Sequence, residues 1–239
     1  MGITKHIPNT ITSMNLLCGA LGVIFAFKGS LDLAFYMMLA GAVCDFCDGL
    51  SARVLKAYSP MGKELDSLAD LITFGLLPSI MLHRRLIEGG VTGFWAYFPL
   101  IIVVFSALRL AKFNVDDRQG ENFLGLPTPA CAMWCGSLIY AADHGVMSMA
   151  NLLHDTHLIL ISSAILAILL VSEIPMFSMK FKKGAAPETK LSRIAFLAVS
   201  AAALAVTVLM GQHFAHAILF IFLAYILMNV AHALMACRK

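Results

Sequence analysis

Long apolar runs separated by short polar or charged stretches dominate this chain. Two of the runs exceed the roughly 18 residues that a helix needs to cross a membrane. Backbone groups in lipid must form their hydrogen bonds within one segment, so the runs are expected to be helices. The pattern predicts eight membrane-spanning helices at residues 11–27, 31–48, 65–82, 94–110, 128–142, 158–177, 194–209 and 215–235.

Composition supports the same class. Of the 239 residues, 60% are hydrophobic and 13% are charged, and the mean hydropathy is +0.84. A soluble domain has roughly 45–50% apolar and about 25% charged residues. The sequence therefore predicts an all-α integral membrane protein, with residues 1–239 forming a single polytopic domain, and it offers nothing typical of a nucleic-acid partner.

Lysine and arginine positions predict the orientation. If the N-terminus is cytoplasmic and the eight spans alternate, all but three of the 17 basic residues fall on the cytoplasmic side. Only Lys28, Arg84 and Arg85 fall on the other side. Because short cytoplasmic loops carry an excess of lysine and arginine, both termini are expected in the cytoplasm, with the protein in the cytoplasmic (inner) membrane.

Four aspartates lie at the ends of two apolar segments. Asp45 and Asp48 are three residues apart, and Asp66 and Asp70 are four apart, so on helices each pair shares a face. Charges at membrane depth are costly and usually functional. Two facing helices would present four carboxylates to one point, where like charges repel unless cations are bound. Oxygen-only ligands favour Mg²⁺ or Mn²⁺, with two ions expected.

The residues between these aspartates suit a phosphate-containing ligand. Gly49 and Ala52 are small and allow close approach to the helix surface. Arg53 offers a planar set of donors that fits phosphate or a nucleobase edge. Gly62 follows a Ser-Pro-Met turn signal between the two helices. Metal-bound phosphate in a small-residue cleft indicates phosphoryl chemistry.

These positions read D-x2-D-G-x2-A-R-x8-G-x3-D-x3-D between Asp45 and Asp70, a pattern that resembles the signature of the CDP-alcohol phosphotransferases. The resemblance implies a bundle of that family's type. It implies metal ligation by Asp45, Asp48, Asp66 and Asp70, with Asp70 also acting as the general base. It further implies a catalytic core near residues 9–180 and an extra helical pair at 190–236. The nucleotide end of the donor would be bound by Gly49, Ala52, Arg53, Gly62, Thr12 and Asn15.

Two further stretches resemble the serine-using branch of that family. They are RLAKFNVDD from Arg109 and FLGLPTPA, which contains Thr128. This resemblance implies CDP-diacylglycerol and serine as substrates, and a homodimer. Serine carries a carboxylate, which Arg109, Lys112 and Asn114 could address, and the resemblance implies that Thr128 also belongs to the acceptor site.

Other interpretations remain open from the sequence. The same chemistry could use another acceptor, such as glycerol 3-phosphate or an inositol phosphate. Intramembrane carboxylates also mark cation transporters, although these often show inverted repeats, and here the acids are concentrated in one hairpin. A non-catalytic lipid-binding protein is a third interpretation.

Overall fold

A computed structural model describes residues 6–116, 122–145, 155–177 and 187–236. Residues 180–190, which the predicted topology places in a basic cytoplasmic loop, lie mostly outside these ranges. The helices are α1 His6–Phe27, α2 Leu31–Val54, α3 Pro60–Asp70, α4 Leu77–Glu88, α5 Phe94–Tyr97, α6 Ile101–Val115, α7 Thr128–His144, α8 Thr156–Val171, α9 Pro187–Leu209 and α10 Phe214–Ala236.

Helix α7 lies at the centre of the bundle. Every residue from Ala130 to Ala142 is buried, whereas a lipid-facing helix keeps one side exposed. Helices α2, α4 and α10 pack against it, and α1 packs along α2, α3 and α4. The core is apolar, with Phe35, Phe74 and Leu138 among its large buried side chains.

Six helical stretches in the described residues are long and apolar enough to cross a membrane. They are His6–Phe27, Leu31–Val54, Pro60–Glu88, Phe94–Val115, Ser192–Leu209 and Phe214–Met235. The chain is thus a multi-pass membrane protein. The fifth and sixth predicted spans are helices of 17 and 16 residues, shorter than the roughly 20 that a bilayer requires. The count of eight spans therefore stays a prediction.

The third span contains an irregular turn. A π-helical segment, Leu71–Leu76, follows α3 directly, and α4 continues from it. Pro78 lies in the first turn of α4. Proline has no N–H to donate, and its ring clashes with the carbonyl four residues earlier, so the hydrogen-bond ladder must change there. The wider turn begins immediately after Asp70, and such turns frequently occur at functional sites.

A short strand pair departs from the all-α prediction. Strand β1, Asn122–Leu124, pairs antiparallel with β2, Pro175–Phe177, so that Phe123 lies opposite Met176. The predicted span at 158–177 was wrong at its end, because α8 stops at Val171 and β2 follows. Proline at 175 cannot continue a helix. Non-helical backbone at membrane depth is tolerated where protein buries it, and Met176 and Phe177 are buried.

Polar and aromatic side chains also cluster at the end of α2 that lies far from the aspartates. The hydroxyls of Tyr36 and Tyr140 are 2.6 Å apart, and Tyr140 also lies 3.4 Å from Nε2 of His213. His144 stacks on Tyr140 and lies 3.8 Å from a carboxylate oxygen of Asp32. These contacts hold α2, α7 and the α9–α10 connection together at that end.

Candidate active site

Two helices bring the acidic residues together. Asp45 and Asp48 lie near the C-terminal end of α2, and Asp66 lies on α3. The intervening turn is capped by Ser59, whose hydroxyl accepts a hydrogen bond of 3.0 Å from the Gly62 N–H. Pro60 occupies the first turn of α3, where a missing N–H costs nothing. This cap fixes the start of α3 and so the direction in which Asp66 points.

The three carboxylates form a potential metal centre. One oxygen each from Asp45, Asp48 and Asp66 lies within 4.8 Å of the other two. Asp48 is only 6% exposed, and its Oδ2 has no hydrogen-bond partner among the described residues. A buried carboxylate oxygen without a partner is costly. A hard divalent cation would satisfy that oxygen, so the donor set fits Mg²⁺ or Mn²⁺.

Asp70 lies beside this trio rather than in it. Its carboxylate is buried and accepts a hydrogen bond of 3.4 Å from Nδ2 of Asn15. It interacts electrostatically with Asp45, Asp66 and Arg109. The structure thus brings three of the four predicted ligands to one point and places the fourth next to them.

A cavity of about 510 Å³ opens from the trio. The cavity is lined by Asp45, Asp48 and six further residues that were predicted to bind the nucleotide or the metal. These six are Thr12, Gly49, Ala52, Arg53, Gly62 and Asp66. Arg53 is exposed on the last turn of α2. Asn15, also predicted to bind the nucleotide, is instead fully buried against Asp70.

Packing within the protein explains one of the two motif glycines, Gly62, but not the other, Gly49. A Cβ on Gly62 would lie 2.9 Å from Oδ1 of Asn9 and 3.0 Å from Oγ of Ser59, so close packing between α1 and α3 requires it. A Cβ on Gly49 would meet nothing within 4 Å. No described protein atom therefore requires glycine at 49, although glycine weakens a helix. A ligand that approaches the surface of α2 would account for it.

The cavity rim is partly apolar. Phe46 and Leu50 line the cavity and are 70% and 50% exposed. Tyr58, also on the rim, is 71% exposed. Both Phe46 and Leu50 belong to a helix long and apolar enough to cross a membrane. The polar interior of the cavity thus meets an apolar surface on one side.

Two of the predicted acceptor residues contact each other. Nη1 of Arg109 donates a hydrogen bond of 2.7 Å to Oγ1 of Thr128. Arg109 is 7% exposed, and its Nε has no partner among the described residues. A buried guanidinium with an unused donor beside Asp70 can bind an anionic group.

The other two predicted acceptor residues lie elsewhere. Lys112 forms an ion pair of 3.1 Å with Glu173, and both side chains are partly exposed. The side chain of Asn114 donates to Ser67 at 3.0 Å, and its backbone carbonyl accepts from Lys63 at 2.9 Å. These contacts tie α6 to α3 and to the chain before β2, so the structure offers a structural role for both residues. Their assignment to serine binding stays a prediction.

Two side chains near the site were not predicted from the sequence. Asn9 lines the cavity, and its signal was its place in the Pro-Asn start of α1. Thr73 donates a hydrogen bond of 3.0 Å to the carbonyl of Asn15 from within the π-helical segment. Nothing in the local sequence pattern indicates this contact, which links α1 to the turn after Asp70.

The comparison with known proteins agrees with this site. A model of the family described as CDP-alcohol phosphatidyltransferase matches residues 5–171. This is well over half of the 239 residues, and the chain belongs to the CDP-alcohol phosphatidyltransferase family. The predicted class, an enzyme that transfers a substituted phosphate group, is confirmed, and the transporter and non-catalytic interpretations lose their support.

Several curated relatives can be aligned with the chain. It is 35% identical over 129 residues to a CDP-diacylglycerol–serine O-phosphatidyltransferase of Bacillus subtilis (strain 168), covering 54% of this chain and 72% of the relative. It is 30% identical over 163 residues to an archaetidylserine synthase of Methanothermobacter thermautotrophicus, covering 66% and 67%. A CDP-diacylglycerol–serine O-phosphatidyltransferase of Mycobacterium leprae is 32% identical over 204 residues, covering 82% and 66%.

Proposed function

We propose that this protein transfers the phosphatidyl group of CDP-diacylglycerol to the hydroxyl of serine, giving phosphatidylserine and CMP. The observation that carries the proposal is the acidic trio opening onto a cavity lined by the family motif. The names of the relatives support the choice of donor and acceptor. Glycerol 3-phosphate and inositol phosphates carry a phosphate dianion, which would favour a site with more basic residues than serine needs.

Asp45, Asp48 and Asp66 would hold the divalent cations, with Asp70 completing a two-ion site. Bound cations would neutralise charge that develops on the diphosphate oxygens in the transition state. The unpartnered Oδ2 of Asp48 supports this assignment, since it is the buried oxygen that a cation would satisfy.

The donor would lie with its cytidine end in the cavity. Arg53 has room to reach a phosphate or the base edge from the last turn of α2. Gly49 and Ala52 would allow the diphosphate to approach the helix backbone. The apolar rim at Phe46 and Leu50 would let the acyl chains remain in the bilayer.

The acceptor would bind on the Arg109 side of Asp70. The free Nε of Arg109 would hold the serine carboxylate. The serine oxygen would attack the phosphorus that carries the diacylglycerol oxygen, and its proton would pass to Asp70. The bond from that phosphorus to the bridging oxygen of the diphosphate would break, and CMP would leave.

Further features belong to the same proposal. The catalytic core would span residues near 9–180, and residues 190–236 would form an added helical pair. Eight spans would cross the cytoplasmic membrane, with both termini in the cytoplasm. The enzyme would be a homodimer.

The test is CMP release by purified protein given CDP-diacylglycerol, with and without serine and with Mn²⁺, Mg²⁺ or a chelator. We expect release to require both serine and a divalent cation, with phosphatidylserine as the lipid product. Release that depends on another alcohol would replace serine as the acceptor. Release that continues in the chelator would refute the metal assignment.

A matched pair of variants tests the site itself. Asp48→Asn should raise the Mn²⁺ concentration needed for half-maximal activity by about tenfold or more, because a ligand charge is lost. Asp32→Asn makes the same chemical change on the same helix, but Asp32 is partly exposed at the opposite end. It should leave the Mn²⁺ dependence unchanged. Equal responses of the two variants would contradict the assignment of Asp48.

A further inference from the structure

Helix α10, which lies beyond the part of the chain matched by the family model, contacts the segment that leads to Thr128 and Arg109, the proposed acceptor residues. The family match ends at residue 171, whereas β2 and α10 follow it. Tyr225 on α10 donates a hydrogen bond of 3.1 Å to the carbonyl of Phe177 in β2. The Phe177 N–H donates to Oδ1 of Asn229, one helical turn later, at 2.9 Å. One helix thus binds both backbone groups of a single strand residue.

These two polar side chains are buried for this contact. Tyr225 is 6% exposed and Asn229 is 2% exposed. Nδ2 of Asn229 donates to the carbonyl of Tyr225 at 2.7 Å, so both ends of the amide are used. The ring of Tyr225 also packs edge-on against Phe177 and against Phe196 of α9. Polar side chains in an otherwise apolar helix that bind a strand backbone hold that strand in one position.

The strand that α10 holds supports the turn before α7. Phe177 belongs to β2, which pairs with β1. Just after β1, the N–H of Gly125 donates to the carbonyl of Ile174 at 3.0 Å, and the N–H of Leu126 donates to Leu169 at 2.9 Å. Gly125 has a φ of +78°, and a Cβ there would lie 2.6 Å from the Leu170 carbonyl oxygen. The turn can therefore lie this close to the Leu170 carbonyl only if residue 125 is glycine.

The turn ends at the Arg109–Thr128 pair proposed to bind the acceptor. Thr128 is the first residue of α7 and accepts the hydrogen bond from Arg109. Arg109 also interacts electrostatically with Asp70, the proposed base. A continuous set of contacts therefore runs from α10 through β2, β1 and Thr128 to the guanidinium.

We propose that Tyr225 and Asn229 are positioning residues for the acceptor, which fix through the strand pair and Thr128 where Arg109 presents its free donor. This inference rests on the proposed function, because it concerns the affinity for the acceptor alcohol. Helix α10 then determines how well the acceptor is bound, while the donor cavity between α1, α2 and α3 is independent of it.

The test compares the KM values for serine and for CDP-diacylglycerol in three variants. Tyr225→Phe removes one hydroxyl and keeps the ring packing. Asn229→Leu removes both amide contacts at similar volume. Thr207→Val is the control, since Thr207 is a buried polar residue of the same helical pair that bonds only its own helix, to Ala203.

We expect the serine KM to rise about threefold in Tyr225→Phe and about tenfold in Asn229→Leu, as the loss of one or two buried hydrogen bonds predicts. The KM for CDP-diacylglycerol should stay within about twofold of wild type in all three variants, since that cavity does not contact α10. A role in stability alone would lower the amount of active enzyme and leave both KM values unchanged.

Each outcome decides the inference. An unchanged serine KM in Tyr225→Phe, in protein as folded as wild type, would overturn it and leave the proposed function intact. Equal increases in both KM values would also overturn it. If wild-type protein uses another alcohol, the KM for that alcohol is measured in the same variants, and an unchanged value in Tyr225→Phe would overturn the inference. If no alcohol supports CMP release, the proposed function and this inference both fail.

Discussion

Replacing Gly49 with alanine should separate stability from activity. Gly49 lies within α2 and lines the cavity, and an added Cβ would meet no described atom within 4 Å. The new methyl group therefore causes no clash in the protein itself. If the diphosphate of the donor lies against this surface, the methyl group must displace it.

The two effects have opposite signs. Alanine is more favourable than glycine inside a helix by about 0.8–1.0 kcal/mol, so the variant should be more stable by up to about 1 kcal/mol. For a chain of this length, that raises the melting temperature by about 2–4 °C. Overpacking against a bound ligand costs about 1–3 kcal/mol, so kcat/KM for CDP-diacylglycerol should fall by about fivefold to about 150-fold.

The assay combines thermal unfolding of the purified protein with CMP release at varied CDP-diacylglycerol. Gly41→Ala is the matched control on the same helix. A Cβ at position 41 would lie 2.5 Å from Cγ2 of Thr73 and 2.9 Å from Oδ1 of Asn15. The cost of this overpacking should cancel or exceed the stability gained when alanine replaces glycine within a helix. A Gly49→Ala enzyme that is more stable and has unchanged kinetics would refute the placement of the donor against α2.

Three further predictions concern other parts of the protein. Asp70→Asn should lower kcat by about 10²–10⁴ because a general base is lost, while donor binding measured by calorimetry persists; near-normal turnover would contradict the base role. Arg53→Ala should raise the KM for CDP-diacylglycerol and leave the KM for serine unchanged. A rise in the KM for serine alone would instead assign Arg53 to acceptor binding. Burial and the neighbouring His144 and His216 hold the pKa of His213 below its usual value. As the pH falls below about 6.5, His213 is protonated more readily in the unfolded chain than in the folded protein. The free energy of unfolding therefore decreases on acidification. His213→Phe should reduce the fall in melting temperature between about pH 7.5 and 5.5. If the melting temperature of the variant falls as much as that of wild type, protonation of His213 is not the cause.

Helical periodicity was sufficient to predict most of the acidic site. Asp45 and Asp48 share a face of α2 because they are three residues apart, and the turn signal at Ser59 placed α3 against it. Asp45, Asp48 and Asp66 lie within 4.8 Å of one another and Asp70 lies outside this trio, so its part as a fourth ligand stays a prediction. Asp70 lies one turn, about 6 Å, further along α3 than Asp66, so the two cannot reach the same point equally well.

The acceptor side depends on contacts between distant residues. The sequence singled out Arg109 and Thr128 by resemblance, but their hydrogen bond depends on how α6 and α7 pack. Strands β1 and β2 have three residues each, and both α7 and α8 lie between them along the chain, so no local alternation of polar and apolar positions indicates them. The π-helical segment has an apolar sequence like the helices around it, and Pro78 was its only local signal.

The apolar rim at Phe46 and Leu50 has a consequence for how this enzyme encounters its lipid. A donor whose acyl chains stay in the bilayer while its head is bound is never dissolved in water during the cycle. Its effective concentration is a mole fraction in the membrane surface, not an amount per volume. Adding inert lipid or detergent at constant bulk donor should therefore slow the reaction, and the supply of CDP-diacylglycerol would be set by two-dimensional diffusion. The water-soluble acceptor, by contrast, would follow its ordinary bulk concentration.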